Sequence, residues 1–191
     1  MNLIQQIDFD VECLTDYFQR LFVLAEETSK LHRPVPDPVL IRKQFVTELA
    51  KQFVPDNVSG FIRPDMAGNV YNFLDFRLDR LCELQQQKRD LALSYRDIKG
   101  KDGLDRYHKY LTKVALLDLS SAMPSLKHLH GLRIVRNHFA HSGGHASDER
   151  RSELEKIPGV TLSGSEIVIS DGFIWDSLRH AQTYLHAVAR A

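Results

Sequence analysis

Cysteine is scarce in this chain. Cys13 and Cys82 are the only two, and neither lies in a C-x-x-C pair or in any spacing that would gather a metal. A disulfide framework is therefore excluded, and both thiols, set in apolar helical patterns, are expected to be buried in a reducing compartment. No apolar run is long enough to cross a bilayer, and the first eight residues lack a basic patch followed by an apolar core, so the cytoplasm is the expected location. Repeats, low-complexity tracts and linkers rich in Gly, Ser or Pro are also missing. With 43% apolar residues, the 191-residue chain is expected to form one domain, residues 1–191. Charge of either sign is not in surplus, with 25 Lys and Arg against 25 Asp and Glu, which removes the global attraction behind non-specific nucleic-acid binding. A polyanion site must then be local.

Acidic residues are absent from residues 119–147, and that absence points to a locality. Lys127, Arg133, Arg136 and five of the nine histidines (His128, His130, His138, His141, His145) fall in this stretch, making it positive in sequence and more so below pH 7. Gly-rich phosphate loops, a Ser-His-Asp order and zincin motifs do not occur. His138, His141 and His145 alone make a poor zinc site, because no Cys or carboxylate accompanies them and His138 projects away from the His141 edge of its helix.

What is present is a succession of helical patterns. Val11, Leu14, Phe18, Leu21 and Ala25 share one face of a first helix ending before Pro34, Pro36 and Pro38. Asp37-Pro38 opens a second, with Ile41, Phe45, Leu49 and Phe53 inward. A turn is expected at Pro55, Gly60 and Pro64, after which Asp65 caps a long helix with the stripe Val70, Phe73, Arg77, Leu81, Leu84, Lys88, Leu91, closed by Gly100 or broken near Gln85-Gln86-Gln87-Lys88. Leu104, Tyr107, Leu111, Val114 and Asp118 mark a fourth helix. Pro124 opens a fifth, which runs to about His141 and stops at Gly143-Gly144. Val160-Thr161-Leu162 and Glu166-Ile167-Val168-Ile169 flank Ser163-Gly164-Ser165 as a hairpin, and Ile174, Leu178, Ala181, Leu185 and Val188 line a last helix. The expected class is all-α: a helical bundle with one small β-hairpin before the C-terminal helix.

On the fifth helix, at about 100° per residue, Leu129, Leu132, Phe139 and Ala140 fall within about 60° of Arg136. An unpaired guanidinium on an apolar face is costly, so it must meet a carboxylate, a partner subunit or an anionic ligand. His130, Arg133, Asn137 and His141 form a polar stripe along the edge of that face. Asn137 and His141, four apart, can share a phosphate oxygen, or the amide can orient the imidazole.

Arg136-Asn137-x-x-x-His141 on a late helix of an all-α bundle, followed by Gly-Gly, resembles the R-polar-x-x-x-H signature of the HEPN superfamily. The resemblance extends over most of the chain in helix order and is confined to residues 129–144 in sequence. It implies a metal-independent endoribonuclease without a cofactor, in which the motif helices of a homodimer face each other across a shared cleft. Arg136, Asn137 and His141 would be catalytic, with His130 and Arg133 binding RNA. The RNA 2′-hydroxyl would be the nucleophile, His141 a general base or acid, and Arg136 the stabiliser of charge on the phosphorane, leaving 2′,3′-cyclic phosphate ends. Family likeness also implies a toxin or phage-defence effector held by an antitoxin or other regulatory protein. Gly143 stands where some relatives carry a tyrosine that is modified, which argues against that form of neutralisation here.

Three plainer readings stand beside this one. Arg136 can be a structural arginine paired with Asp75 or Asp79, His141 can merely cap the helix carbonyls, and the same face can serve a non-catalytic module that dimerises or holds a partner protein or nucleotide.

Overall fold

The computed structural model describes residues 2–30 and 41–191, with residues 25, 27–30 and 41–60 described by backbone alone. The described elements are α1 (Leu3–Lys30), α2 (Ile41–Lys88), α3 (Gly103–Lys109), α4 (Met123–Ser142), α5 (Asp148–Leu154), β1 (Val160–Ser163), β2 (Glu166–Ile169) and α6 (Asp171–Arg190). The expected all-α bundle with one hairpin before the last helix is what forms. The prolines and Asp37 between the first two helices lie outside the described residues, as do the side chains of Ala25, Ile41, Phe45, Leu49 and Phe53.

The last helix builds the centre. Ile174, Leu178, Ala181, Leu185 and Val188 recur at the helical period and all are buried, and α6 packs on α1, α2 and α4. Ser170 caps it by accepting a hydrogen bond from the Phe173 amide at 3.2 Å. Trp175 packs its ring against Phe18 and Phe22 of α1, with centroids 6.0 and 5.8 Å away. Cys82 is buried here, whereas Cys13 is exposed, contrary to expectation: the α1 stripe through Leu14 and Phe18 leaves position 13 on the outer side.

The turn expected at Pro55, Gly60 and Pro64 does not form, and α2 runs through all three as one 48-residue helix. A proline inside a helix removes one hydrogen bond and crowds the preceding turn. The turn immediately after Pro64 buries Met66, Ala67 and Val70, and that packing offsets the local loss. Asp65 is accordingly no cap; it is exposed and accepts a hydrogen bond from Asn69 at 3.0 Å. The buried stripe is Val70, Leu74, Leu78, Leu81 and Gln85, rotated from the expected one. Leu84 is exposed, and Arg77, expected inward, pairs with Asp10 of α1 through its Nε at 2.6 Å. The helix ends at the polar run, not at Gly100.

The fourth expected helix is shorter than its pattern. After α3 the chain winds through a π-helical turn, Tyr110–Val114, and leaves it at Leu116 with φ 54°, so Asp118 lies beyond the helix and accepts a hydrogen bond from the Ser120 amide at 3.0 Å. The hairpin pairs Val160 with Ile169 and Ser163 with Glu166, antiparallel. Its β2 edge also grips the segment after α4: the Ile167 amide donates to the Gly144 carbonyl at 2.8 Å, and the Ala146 amide to the Ser165 carbonyl at 2.7 Å.

Candidate functional site

Helix α4 begins with Pro124 in its first turn, where the missing amide costs nothing, and buries Leu126, Leu129, Leu132 and Val135 against the core. Gly131 on the same face lets Ile157 approach so closely that a Cβ would lie 3.1 Å from the isoleucine Cγ2. The helix closes at Gly143 and Gly144, with φ 58° and 82°. A side chain at Gly144 would also collide with the Phe139 ring at 2.6 Å, so both backbone conformation and space require glycine there.

Arg136 is half-buried. Its guanidinium carbon lies 5.5 Å from the Tyr71 ring centroid, and Nη1 donates to Asn137 Oδ1 at 3.2 Å. No carboxylate stands within ion-pair distance of it among the described residues. Asp79 is committed elsewhere, accepting from the Tyr95 hydroxyl and pairing with Arg96 at 3.3 Å. Asp75 lies close enough to feel the Arg136 charge without pairing. Burial raises its pKa above the usual carboxylate range, while Tyr107, Arg136 and Arg106 work in the opposite direction. The arginine is thus held by an aromatic face and an amide, and not neutralised by contact.

The rest of the stripe is divided. His141 is exposed on the last turn of α4. No hydrogen bond joins it to Asn137, whose carbonyl oxygen is turned to Arg136, so the expected orientation of the imidazole by the amide is not the arrangement observed. Arg133, expected to be available to RNA, has its Nε 3.1 Å from Asp102 Oδ2, with side chains only 19% and 14% exposed. His130 is half-buried beside the same carboxylate. Burial, above all, holds its pKa below the ordinary imidazole range, Asp102 opposing and Arg133 assisting. Together these groups tie α4 to the start of α3, where Asp102 also caps by accepting from the Asp105 amide at 2.9 Å.

The acid-free stretch is therefore not acid-free in space. Asp102 and Asp105 reach His130 and Arg133, Asp75 reaches Arg136, and Asp176 reaches His128. At the other end of α4, His128 Nε2 meets Ser177 Oγ at 3.0 Å, and His180 Nδ1 meets Ser125 Oγ at 3.0 Å. The two imidazoles overlap with centroids 4.5 Å apart. Burial pushes the His128 pKa down to about 4, with His180 and Arg179 adding to the effect and Asp176 opposing it.

Sequence reasoning named Asp75 as a possible ion-pair partner of Arg136, which it approaches without pairing, and missed Tyr71, one turn before it on α2, whose ring faces the guanidinium; nothing in the local pattern of Tyr71 marks it. It also missed α5, for which a signal existed: Ser147 followed by Asp148 and Glu149 is an ordinary helix start. Helix α5 matters because Arg150 and Glu153, with Lys101, Asp102, Arg133, Ile134, Asn137, His138 and Ser142, enclose a cleft of about 270 Å³ beside the motif. Among the described residues, no group of three or more His, Cys, Asp or Glu side chains is arranged to hold a metal. None of the described helices is long and apolar enough to cross a membrane. In comparisons with known proteins, no family model, curated protein or solved structure matches the chain.

Proposed function

We propose that the protein is a metal-independent endoribonuclease that cleaves RNA by attack of its own 2′-hydroxyl, acting as a homodimer whose motif helices line a shared cleft. The observation that carries this reading is the state of Arg136: a permanent cation fixed by Tyr71 and Asn137, with no ion-pair partner among the described residues, on the same helix as an exposed imidazole. A cation fixed in place but not neutralised suits a phosphorane, whose extra negative charge appears only as the reaction proceeds.

In the proposed step, His141 removes the 2′-hydroxyl proton, the 2′-oxygen bonds to phosphorus, and the 5′-oxygen leaves with a proton from a second acid. The products are a 2′,3′-cyclic phosphate and a 5′-hydroxyl. In a dimer, the second copy's motif helix supplies a further imidazole for that acid role. Unstacked, single-stranded or loop RNA is the favoured substrate, because the 2′-oxygen must come in line with the leaving oxygen. A role as a toxin or phage-defence effector, restrained by an antitoxin or regulator, rests on family likeness alone.

Two specific observations favour the non-catalytic rival, a dimerisation or nucleotide-holding module: Arg133 is already paired with Asp102, and the Asn137 carbonyl is occupied. Incubating the protein with RNA in EDTA separates the two. Cleavage by the unaltered protein that is lost in both Arg136→Ala and His141→Ala supports the nuclease. No cleavage by any form supports the rival, and cleavage undiminished in both variants discards the assigned site. Light scattering should give a dimer; an active monomer rules out the shared cleft.

A further inference from the structure

The cleft between the start of α3, the end of α4 and α5 lies beside the groups of the proposed bond-breaking step and shares Asn137 with them. We propose that it seats one nucleotide adjacent to the cut, its phosphodiester facing Lys101 and Arg150 and its base meeting the polar wall formed by Asn137, His138 and Ser142. That the nucleotide lies next to the cut rests on the nuclease reading; that a nucleotide is held there rests on the cleft alone.

Charge is the first argument. The lining holds three cations and two carboxylates, and four of these five groups cancel: Arg133 pairs with Asp102 at 3.1 Å and Arg150 with Glu153 at 2.7 Å. Lys101 is left over. Its backbone amide bonds Asp105, but its ammonium has no carboxylate within ion-pair distance among the described residues. A cleft with one net positive charge matches the single negative charge of an internal phosphodiester.

Capacity for hydrogen bonding is the second. Asn137 accepts from Arg136 through Oδ1, which leaves both protons of its amide nitrogen unused by the protein. His138 Nδ1 is buried without a partner. His138 lines the cleft, so a base edge or ribose hydroxyl seated there comes next to a residue with a polar atom that the folded chain leaves unsatisfied. The space of about 270 Å³ lies just below the range of small-ligand pockets, about 300–1,000 Å³, which limits an occupant to about one nucleotide unit and excludes a length of strand.

Connection to the motif is the third. Asn137 adjoins Arg136 in sequence and touches it in space, so a nucleotide held by Asn137 delivers its neighbouring phosphate towards Arg136.

The test uses the whole protein, 15N-labelled, with a dinucleoside monophosphate whose attacked sugar is 2′-deoxy, so that it carries one phosphodiester and cannot react. Amide shifts should concentrate at Lys101, Asn137, Ser142 and Arg150. Lys101→Glu should weaken binding tenfold or more, and Lys101→Ala should lower the salt dependence by about one counterion. Glu153→Gln, which removes a carboxylate from the wall, should tighten binding severalfold, a gain that damaged folding cannot mimic. Shifts elsewhere, or equal affinity in Lys101→Glu and Glu153→Gln, overturn the proposal. RNA cleaved equally well by all cleft variants removes the cleft and leaves the nuclease reading standing. A probe seated in the cleft of a protein that cuts no RNA keeps the cleft and removes the nuclease reading.

Discussion

The two halves of α4 carry the same kinds of residue and use them in opposite ways. In the first half, His128 and His130 are turned into the bundle. His128 is bonded to Ser177 and overlaps His180, which is bonded in turn to Ser125, so each of the two helices lends one histidine and one serine to the seam. In the second half, Arg136 has no ion-pair partner among the described residues and His141 stands in solvent. Histidine content does not distinguish these halves. What does is whether the groups facing them from other helices complete their hydrogen bonds, as Ser177 of α6 does for His128 and nothing described does for His141.

That contrast can be broken by substitution. Its largest expected effect is on chemistry: His141→Ala and Arg136→Ala should each lower the cleavage rate by about 10² or more with the melting temperature nearly unchanged. His128→Ala should do the reverse, reducing stability while leaving the rate per folded molecule as it was. Rates measured beside melting curves for the three variants decide the matter, and a His128 variant that loses activity in its folded state would erase the distinction between the halves.

A smaller effect should follow from Ser177→Ala. It leaves His128 Nε2 buried without its partner, which costs about 1–3 kcal/mol. In a chain of this size, that is a fall of roughly 2–4 °C per kcal/mol in melting temperature. Ser163→Ala, in the hairpin strand β1, serves as the surface control.

The smallest is a pH effect with a defined sign. The folded His128 pKa lies near 4 and the unfolded one near 6.5, so the unfolded chain binds more protons between those values. Stability from the neutral, buried imidazole is complete above about pH 6.5 and is lost as pH falls towards 4. His180, also held low by burial, adds to the slope, and Asp176 opposes it. Partial solvent access reduces the loss to the order of 1 kcal/mol. Urea midpoints from pH 7 to pH 4 should fall less steeply in His128→Gln than in the unaltered protein.

Much of the fold was legible because its signals are local. Pro124 and Gly143-Gly144 bound α4, Ser163-Gly164-Ser165 turns the hairpin, and the period from Ile174 to Val188 gives the buried face of α6. Long-range terms were not legible. Pro55, Gly60 and Pro64 read as a turn because their effect on a helix is local and unfavourable, while the burial of Met66 and Val70 that supports α2 just after Pro64 depends on partners distant in sequence. Positive charge in residues 119–147 was overestimated for the same reason, since Asp75, Asp102 and Asp105 arrive from other elements. The candidate site was legible as residues and not as geometry: Arg136 and His141 keep the places their helix assigns, but the partners of Arg136 and Arg133 come from α2 and the start of α3.

The most direct measurement of the central claim is the chemistry of the RNA ends left by the purified protein in EDTA. A 2′,3′-cyclic phosphate with a 5′-hydroxyl, formed by the unaltered protein and absent with His141→Ala, is the result this account predicts. Ends bearing a 3′-hydroxyl and a 5′-phosphate, or cyclic ends produced equally by His141→Ala and Arg136→Ala, would contradict it.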